Sequence, residues 1–295
     1  MELVICMSLK DCIFFKKNLY FIKKNINPSH IYILTDKRNF RYLSGLSQNN
    51  DNFITCIDEN NVVDGLTFSV CKDIVNRYLT TSAIGWYYQQ LLKLGFALSK
   101  YAKDEYLVWD ADTVPLNKLS FKDNDNGADL ILVKKEHHIP YFNTIDGLFN
   151  APKKAPYSFI SEHMLFNVSI VKEMLSLIEK NSKSNLRWYE QCIAARKDNV
   201  IQVFSEFETY GTFCYNYYPN KLEIRPLNTF RFGSKIYGIM ASRKEIQSLS
   251  FDLDTVSFEI RDYPVSWHRH IIQYCFYLMI RVVLKCRVKI KYFPL

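Results

Sequence analysis

The chain has 295 residues, 48% of them hydrophobic and 15% aromatic, enough to bury one large core or two modest ones; with a charged fraction of 23% this excludes a disordered chain. A formal charge of +8 suits an anionic partner, and by itself does not choose among a nucleotide diphosphate, nucleic acid and a lipid headgroup. Eight scattered cysteines without a Cys-x-x-Cys pair argue against a zinc knuckle or a dithiol redox site and for reduced thiols in a cytoplasm.

The segment Met1 to Met7 carries Glu2 where a signal peptide needs basic residues, and its apolar run is too short for one, so it reads as a first core strand. Lys10 to Lys24 has apolar residues at helical spacing, and Ile31 to Leu34 is a second strand ending in Thr35-Asp36. Strand, helix and strand imply a right-handed parallel crossover. In open sheets of this kind ligands sit beyond the carboxyl ends of the strands, which is where Ser8, Asp11 and Asp36 are expected. A third strand around Phe53 to Ile57 precedes a long helical region, broken near Gly85. There Trp86, Gln90 and Lys93 share one helix face, and the Lys93 ammonium is placed to approach a donor phosphate.

Next comes Tyr106 to Pro115, an apolar run that ends in Asp110-Ala111-Asp112. Leu107, Val108 and Trp109 read as a buried strand, and strand alternation points Asp110 and Asp112 to the same side. Two carboxylates on one edge repel each other, and a hard cation, Mg²⁺ or Mn²⁺, relieves this while keeping positions for phosphate oxygens. Trp109, beside the first aspartate, joins the expected donor-binding set.

Ala128 to Val133 is a further strand. In Glu136-His137-His138 the adjacent histidines would point to opposite faces of a strand, which is awkward for one ion. Tyr141 to Tyr157, flanked by Pro140 and holding Gly147, Pro152 and Pro156, reads as an irregular loop; Ser169 to Glu179 is an amphipathic helix. In Ser205-Glu206-Phe207-Glu208, Ser205 and Glu208 form a capping box. Glu206, as the first helical residue, sits at the positive end of the helix dipole, where a carboxylate serves as a general base toward a sugar hydroxyl. Glu208 and Glu162 rank after it for that role. Arg231, Lys235 and Arg269 supply cations, with Gly233 allowing close backbone approach to a phosphate. The apolar, aromatic stretch Ile271 to Leu284 is too short for a bilayer span, which takes about twenty residues. Followed by a basic end, it suits attachment to an anionic membrane surface.

Four stretches together, Gly85 to Lys93, Trp109 to Thr113, Ser161 to Met164 and Phe204 to Gly211, resemble a family of bacterial surface-polysaccharide glycosyltransferases, of O-antigen, capsule and lipooligosaccharide assembly (DUF6492-like). These are similar to GT-A enzymes that use nucleotide sugars. The resemblance implies an α/β fold: one Rossmann-like GT-A domain over residues 1–270 with a mixed central sheet and helices on both faces, followed by the segment 271–295. It further implies that Asp110 and Asp112 hold Mn²⁺ or Mg²⁺ against the diphosphate of a UDP-hexose or UDP-N-acetylhexosamine. His268 would join the metal, and the acceptor would be a growing glycan, lipid-linked at the inner face of the cytoplasmic membrane. Nucleic acid is not an expected partner, because the aromatic residues fall in core periods and not among the basic ones. A rival pattern is that of a haloacid-dehalogenase-like phosphatase with Asp110 as nucleophile and Asp252 and Asp254 as the remaining metal carboxylates, although their spacing differs from that family's.

Overall fold

The computed structural model describes residues 1–46, 53–237 and 242–259, together with the separate positions 271, 275, 278, 279 and 282. In chain order the first half contains β1 (Glu2–Cys6), α1 (Leu9–Asn25), β2 (His30–Thr35), the single turn α2 (Phe40–Leu43), β3 (Ile54–Asp58), α3 (Phe68–Tyr78), α4 (Ile84–Gly95), β4 (Glu105–Trp109), β5 (Thr113–Pro115), β6 (Asp129–Ile131) and α5 (Ile139–Phe149). Then follow β7 (His163–Asn167), α6 (Val168–Lys180), α7 (Trp188–Ala194), α8 (Glu206–Tyr217), β8 (Leu222–Ile224), β9 (Thr229–Phe230), α9 (Gly233–Tyr237), α10 (Arg243–Ser248) and β10 (Thr255–Ser257). The chain gathers into two compact units that interleave in sequence. Unit 1 comprises Met1–Ser8, Ser29–Asp110 and Phe121–Pro226; unit 2 comprises Leu9–Pro28, Ala111–Ser120 and Leu227–Leu295.

Unit 1 is built on a five-stranded sheet of order β3-β2-β1-β4-β7. The first three pairings are parallel and β4 with β7 is antiparallel, which makes the sheet mixed, as expected. Its strands are apolar on both faces because both are covered: Val4, Leu34, Val108 and Phe166 pack into the main core with helix residues such as Ile74, Leu91, Met174 and Phe213. The alternate set Leu3, Ile5, Ile33, Leu107 and Leu165 is equally buried. A short parallel pair, β6 with β8, completes the unit's strands.

Unit 2 is a three-stranded sheet, β5-β10-β9, with its own core of Phe14, Phe21, Val114, Leu116, Ile246, Leu249, Val256 and Phe258. The helix read between β1 and β2 is present as α1 and belongs to this unit.

Three local expectations are corrected. The break in the long helical region falls at residues 79–83 and not at Gly85, which lies in the first turn of α4. Much of the expected loop from Tyr141 is α5: Pro140 occupies the first turn, where its missing N–H costs nothing, and the helix stops at Asn150 in the left-handed region (φ 52°). Finally, β4 ends at Trp109, so Asp110, Ala111 and Asp112 occupy the turn before β5 and the alternation of a strand does not govern their side chains.

Candidate functional site

The chemistry-bearing residues of unit 1 converge where β4 ends and α8 begins. Ser205 caps α8 by accepting the Glu208 amide at 3.3 Å, which leaves Glu206 as the first helical residue. The Glu206 amide donates to Gln90 Oε1 at 3.3 Å, while Gln90 Nε2 donates to the Trp86 carbonyl at 3.2 Å. Both ends of the Gln90 amide therefore serve the fold, joining α4 to the start of α8. Trp86 is partly buried, edge-on to Tyr87 at 4.9 Å. On this face Gln90 is 2% and Lys93 3% exposed.

Lys93 is the hub. Its Nζ donates to Asp110 Oδ1 and to Glu206 Oε1, each at 2.7 Å, and lies 4.7 Å from the centre of the Phe207 ring. Burial works against the ammonium, but the two carboxylates outweigh it and hold Lys93 above the usual lysine range. Burial raises the Glu206 carboxyl, with Lys93 pulling the other way and Asp110 adding to the rise. The two acids differ in access: the Glu206 side chain is 5% exposed and that of Asp110 30%. Beneath them Tyr106 of β4 donates its hydroxyl to the Lys93 carbonyl at 2.8 Å.

Around this hub each remaining acid has its own cation. The Asp110 amide donates to the Glu162 carbonyl at 3.0 Å, and Glu162 Oε1 accepts from Lys134 Nζ at 2.6 Å. Glu208 is wholly buried and accepts from Ser158 Oγ and the Phe159 amide, both at 2.8 Å, from Thr212 Oγ1 at 3.3 Å, and from Lys153. The expected capping box is therefore half formed, because the Glu208 side chain secures residues 153–159 instead of turning back to Ser205. Trp109 is also wholly buried, its ring stacked on His163 at 4.7 Å. His163 Nε2 lies 3.5 Å from Arg225, which can only donate, so the ring proton sits on Nδ1, which is buried and meets no acceptor among the described residues. Burial, with Arg225 and Lys134 adding to it, pushes the His163 imidazole down to about 3.

Of the other expected site residues, Ser8 and Asp36 follow the carboxyl ends of the neighbouring parallel strands β1 and β2. Ser8 is exposed. Asp36 takes a two-toothed grip from Arg38, whose hydrogen bonds hold its carboxyl below the usual range. His138 bonds the Gln202 carbonyl at 2.8 Å, just before α5 and not in a strand. In unit 2, Asp11 is half-buried in the first turn of α1, Lys235 lies over Phe232 at 4.4 Å, and Arg231 pairs with Glu259 at 3.3 Å. Gly233 is needed for packing, since a Cβ there would lie 2.7 Å from the Ser257 carbonyl oxygen. Asp254 accepts from Asn228 and Asn117, a structural use that gives the phosphatase pattern no support. His268, Arg269 and nearly all of residues 271–295 lie outside the described residues.

Asp110 suits a hard divalent cation, being a partly exposed carboxylate with one oxygen on Lys93, and Asp112, two positions on, is held to within about 7 Å of it by the chain itself. Among the described residues no group of three or more His, Cys, Asp or Glu side chains is arranged to hold a metal, and no helix is long and apolar enough to cross a membrane. Lys134 and Lys153 carry no local motif in the sequence that marks them as partners of Glu162 and Glu208.

Residues 10–221 match a family described as of unknown function, DUF6492. No curated protein matches the chain. Among solved structures it is similar to the galactosyltransferase LgtC in complex with donor and acceptor sugar analogues, at 12% identity and TM-score 0.48 over 94% of this chain and 95% of that one. It is similar to mouse xyloside xylosyltransferase 1 in its apo form, at 9% identity and TM-score 0.45 over 90% and 100%. The glycosyltransferase GlyE of Streptococcus pneumoniae gives 12% identity and TM-score 0.41 over 98% and 63%.

Proposed function

The chain belongs to the DUF6492 family, and from that premise we propose that it is a metal-dependent glycosyltransferase that moves a sugar from a nucleotide diphosphate to a growing glycan. The observation that carries the reading is the triad of Lys93, Asp110 and Glu206, one buried ammonium shared by two carboxylates of unequal exposure. A cluster used only for stability gains little from such an arrangement, since desolvating three charges offsets most of their attraction. The sequence resemblance of the four motif stretches supports the same reading.

Asp110 and Asp112 would hold Mn²⁺ or Mg²⁺, which would supply positive charge to offset that of a departing diphosphate. Lys93 orients Asp110 through the 2.7 Å hydrogen bond to Oδ1. Glu206, whose affinity for a proton is raised by burial, receives the proton of the acceptor hydroxyl in an inverting transfer. Glu208 and then Glu162 follow it for that step; the Glu162 carbonyl accepts the Asp110 amide. We further assign the donor to the UDP-hexose or UDP-N-acetylhexosamine class and the acceptor to a lipid-linked glycan at the inner membrane face, approached through the apolar and basic residues 271–295.

The test is a panel of nucleotide sugars incubated with the protein and Mn²⁺, reading nucleotide release. Release with one donor, lost on chelation and in Asp112→Ala, is the expected result; Glu206→Gln should then lower kcat with little change in donor KM. No release from any donor, or release indifferent to Asp112→Ala, overturns the assignment.

A further inference from the structure

Unit 2 holds the turn after Asp110 and the strand that follows through a buried asparagine. Asn18 of α1 is wholly buried, and its Nδ2 donates to the carbonyls of Ala111 at 3.0 Å and Thr113 at 2.7 Å. These are the carbonyls on either side of Asp112. The carbonyl of Asp112 itself accepts the Phe258 amide at 2.9 Å, and the Thr113 hydroxyl lies 2.8 Å from that of Ser257. Three successive carbonyls, through the turn and into β5, are thus fixed from one unit. Two carbonyl oxygens can be met only by an NH₂ group, so the orientation of the Asn18 amide is unambiguous. Its own oxygen is buried and accepts nothing among the described residues. Leaving a buried acceptor unmade is costly, and here it accompanies the holding of two peptides around one aspartate.

A comparison lies on the same helix. Asn25, seven residues on, is also buried and donates to the Pro115 carbonyl at 2.7 Å, while its own carbonyl takes the Leu119 amide at 3.0 Å. It performs the same packing service for β5 three residues beyond Asp112.

We propose that Asn18 is a positioning residue for Asp112: by fixing the peptide plane before Asp112 and the one after Thr113, with the Phe258 amide holding the plane between them, it sets the direction of the carboxylate and so the affinity for a divalent cation. This rests on the transferase reading, in which Asp112 is a metal ligand. Partners that orient a ligand without touching the ion typically change affinity by about 10- to 100-fold.

The experiment measures Mn²⁺ binding directly, from the electron paramagnetic resonance signal of free Mn²⁺, alongside thermal midpoints, in the parent and in Asn18→Leu, Asn25→Leu and Asp112→Ala. Asn18→Leu should weaken Mn²⁺ binding about tenfold, whereas Asn25→Leu, with similar loss of thermal stability, should bind as the parent does. Equal effects of the two asparagine variants, or parent-like binding in Asn18→Leu, overturn the positioning role. Where Asn18→Leu does not fold, Asn18→Ser is read by the same comparison. Binding that survives Asp112→Ala overturns the transferase reading itself, and the inference with it.

Discussion

Replacing Lys93 by methionine keeps the aliphatic stem and removes the charge shared by Asp110 and Glu206. Each contact is 2.7 Å, a gross attraction of roughly 6 kcal/mol at an effective dielectric constant of about 20, most of which is offset by desolvation. What the variant loses is governed by the orphaned acids. Asp110, 30% exposed, can be rehydrated and adds about 1 kcal/mol at most. Glu206 cannot, and its cost is limited by protonation: bringing a carboxyl with an unfolded pKa near 4.3 to its neutral form costs about 4 kcal/mol at pH 7 and about 1 at pH 5. The sign follows from linkage. In the variant the folded-state pKa of Glu206 rises further above its unfolded value, so the folded state binds the extra proton and stability falls as pH rises between the two. Urea midpoints of parent and variant at pH 5 and pH 7 measure this directly. The expected loss is about 3–4 kcal/mol at pH 7, shrinking at pH 5, and adding Glu206→Gln to Lys93→Met should return about 2 kcal/mol or more. A variant within about 1 kcal/mol of the parent at pH 7, or equally damaged at both pH values, refutes the reasoning.

Two further outcomes test the packing around the site. His163, depressed to about 3, is neutral when folded and takes a proton when unfolded below about pH 6.5, so it should remove about 3 kcal/mol as pH falls from 6.5 to 4.5; His163→Phe should flatten that part of the stability profile in acid urea titrations, and an unchanged slope counts against it. Gly211→Ala places a Cβ 2.3 Å from Phe159 Cγ, inside the core of α8, and should lower the urea midpoint by the equivalent of about 1–3 kcal/mol; parent-like stability would show that Phe159 can give way.

Much of the framework could be read from local signals. The strands β1, β2 and β4 are continuous apolar runs because a sheet covered on both faces asks for nothing else, and the end of β4 stood out by its aspartates. α5 was hidden because Pro140 and Gly147 look like breakers; the proline sits in the first turn, and the glycine is required where a Cβ would lie 2.6 Å from the Ala195 carbonyl oxygen. The site itself was half visible. Asp110, Lys93 and Glu206 could each be picked out by type and position, but Lys93 meets Glu206 across 113 residues of sequence, and no period or spacing encodes such a pairing. For the same reason Lys153 and Lys134 escaped notice, and Glu208 was read as a cap: the partners that define these side chains are distant along the chain.

The hydroxyl of Tyr106 against the Lys93 carbonyl has a mechanical corollary. Because strand and helix are pinned to each other at that peptide, the backbone of Lys93 is a fixed shoulder and only the side-chain torsions beyond it are free to turn. Any exchange of partners by the ammonium would then be a matter of rotamers and would leave the scaffold at rest.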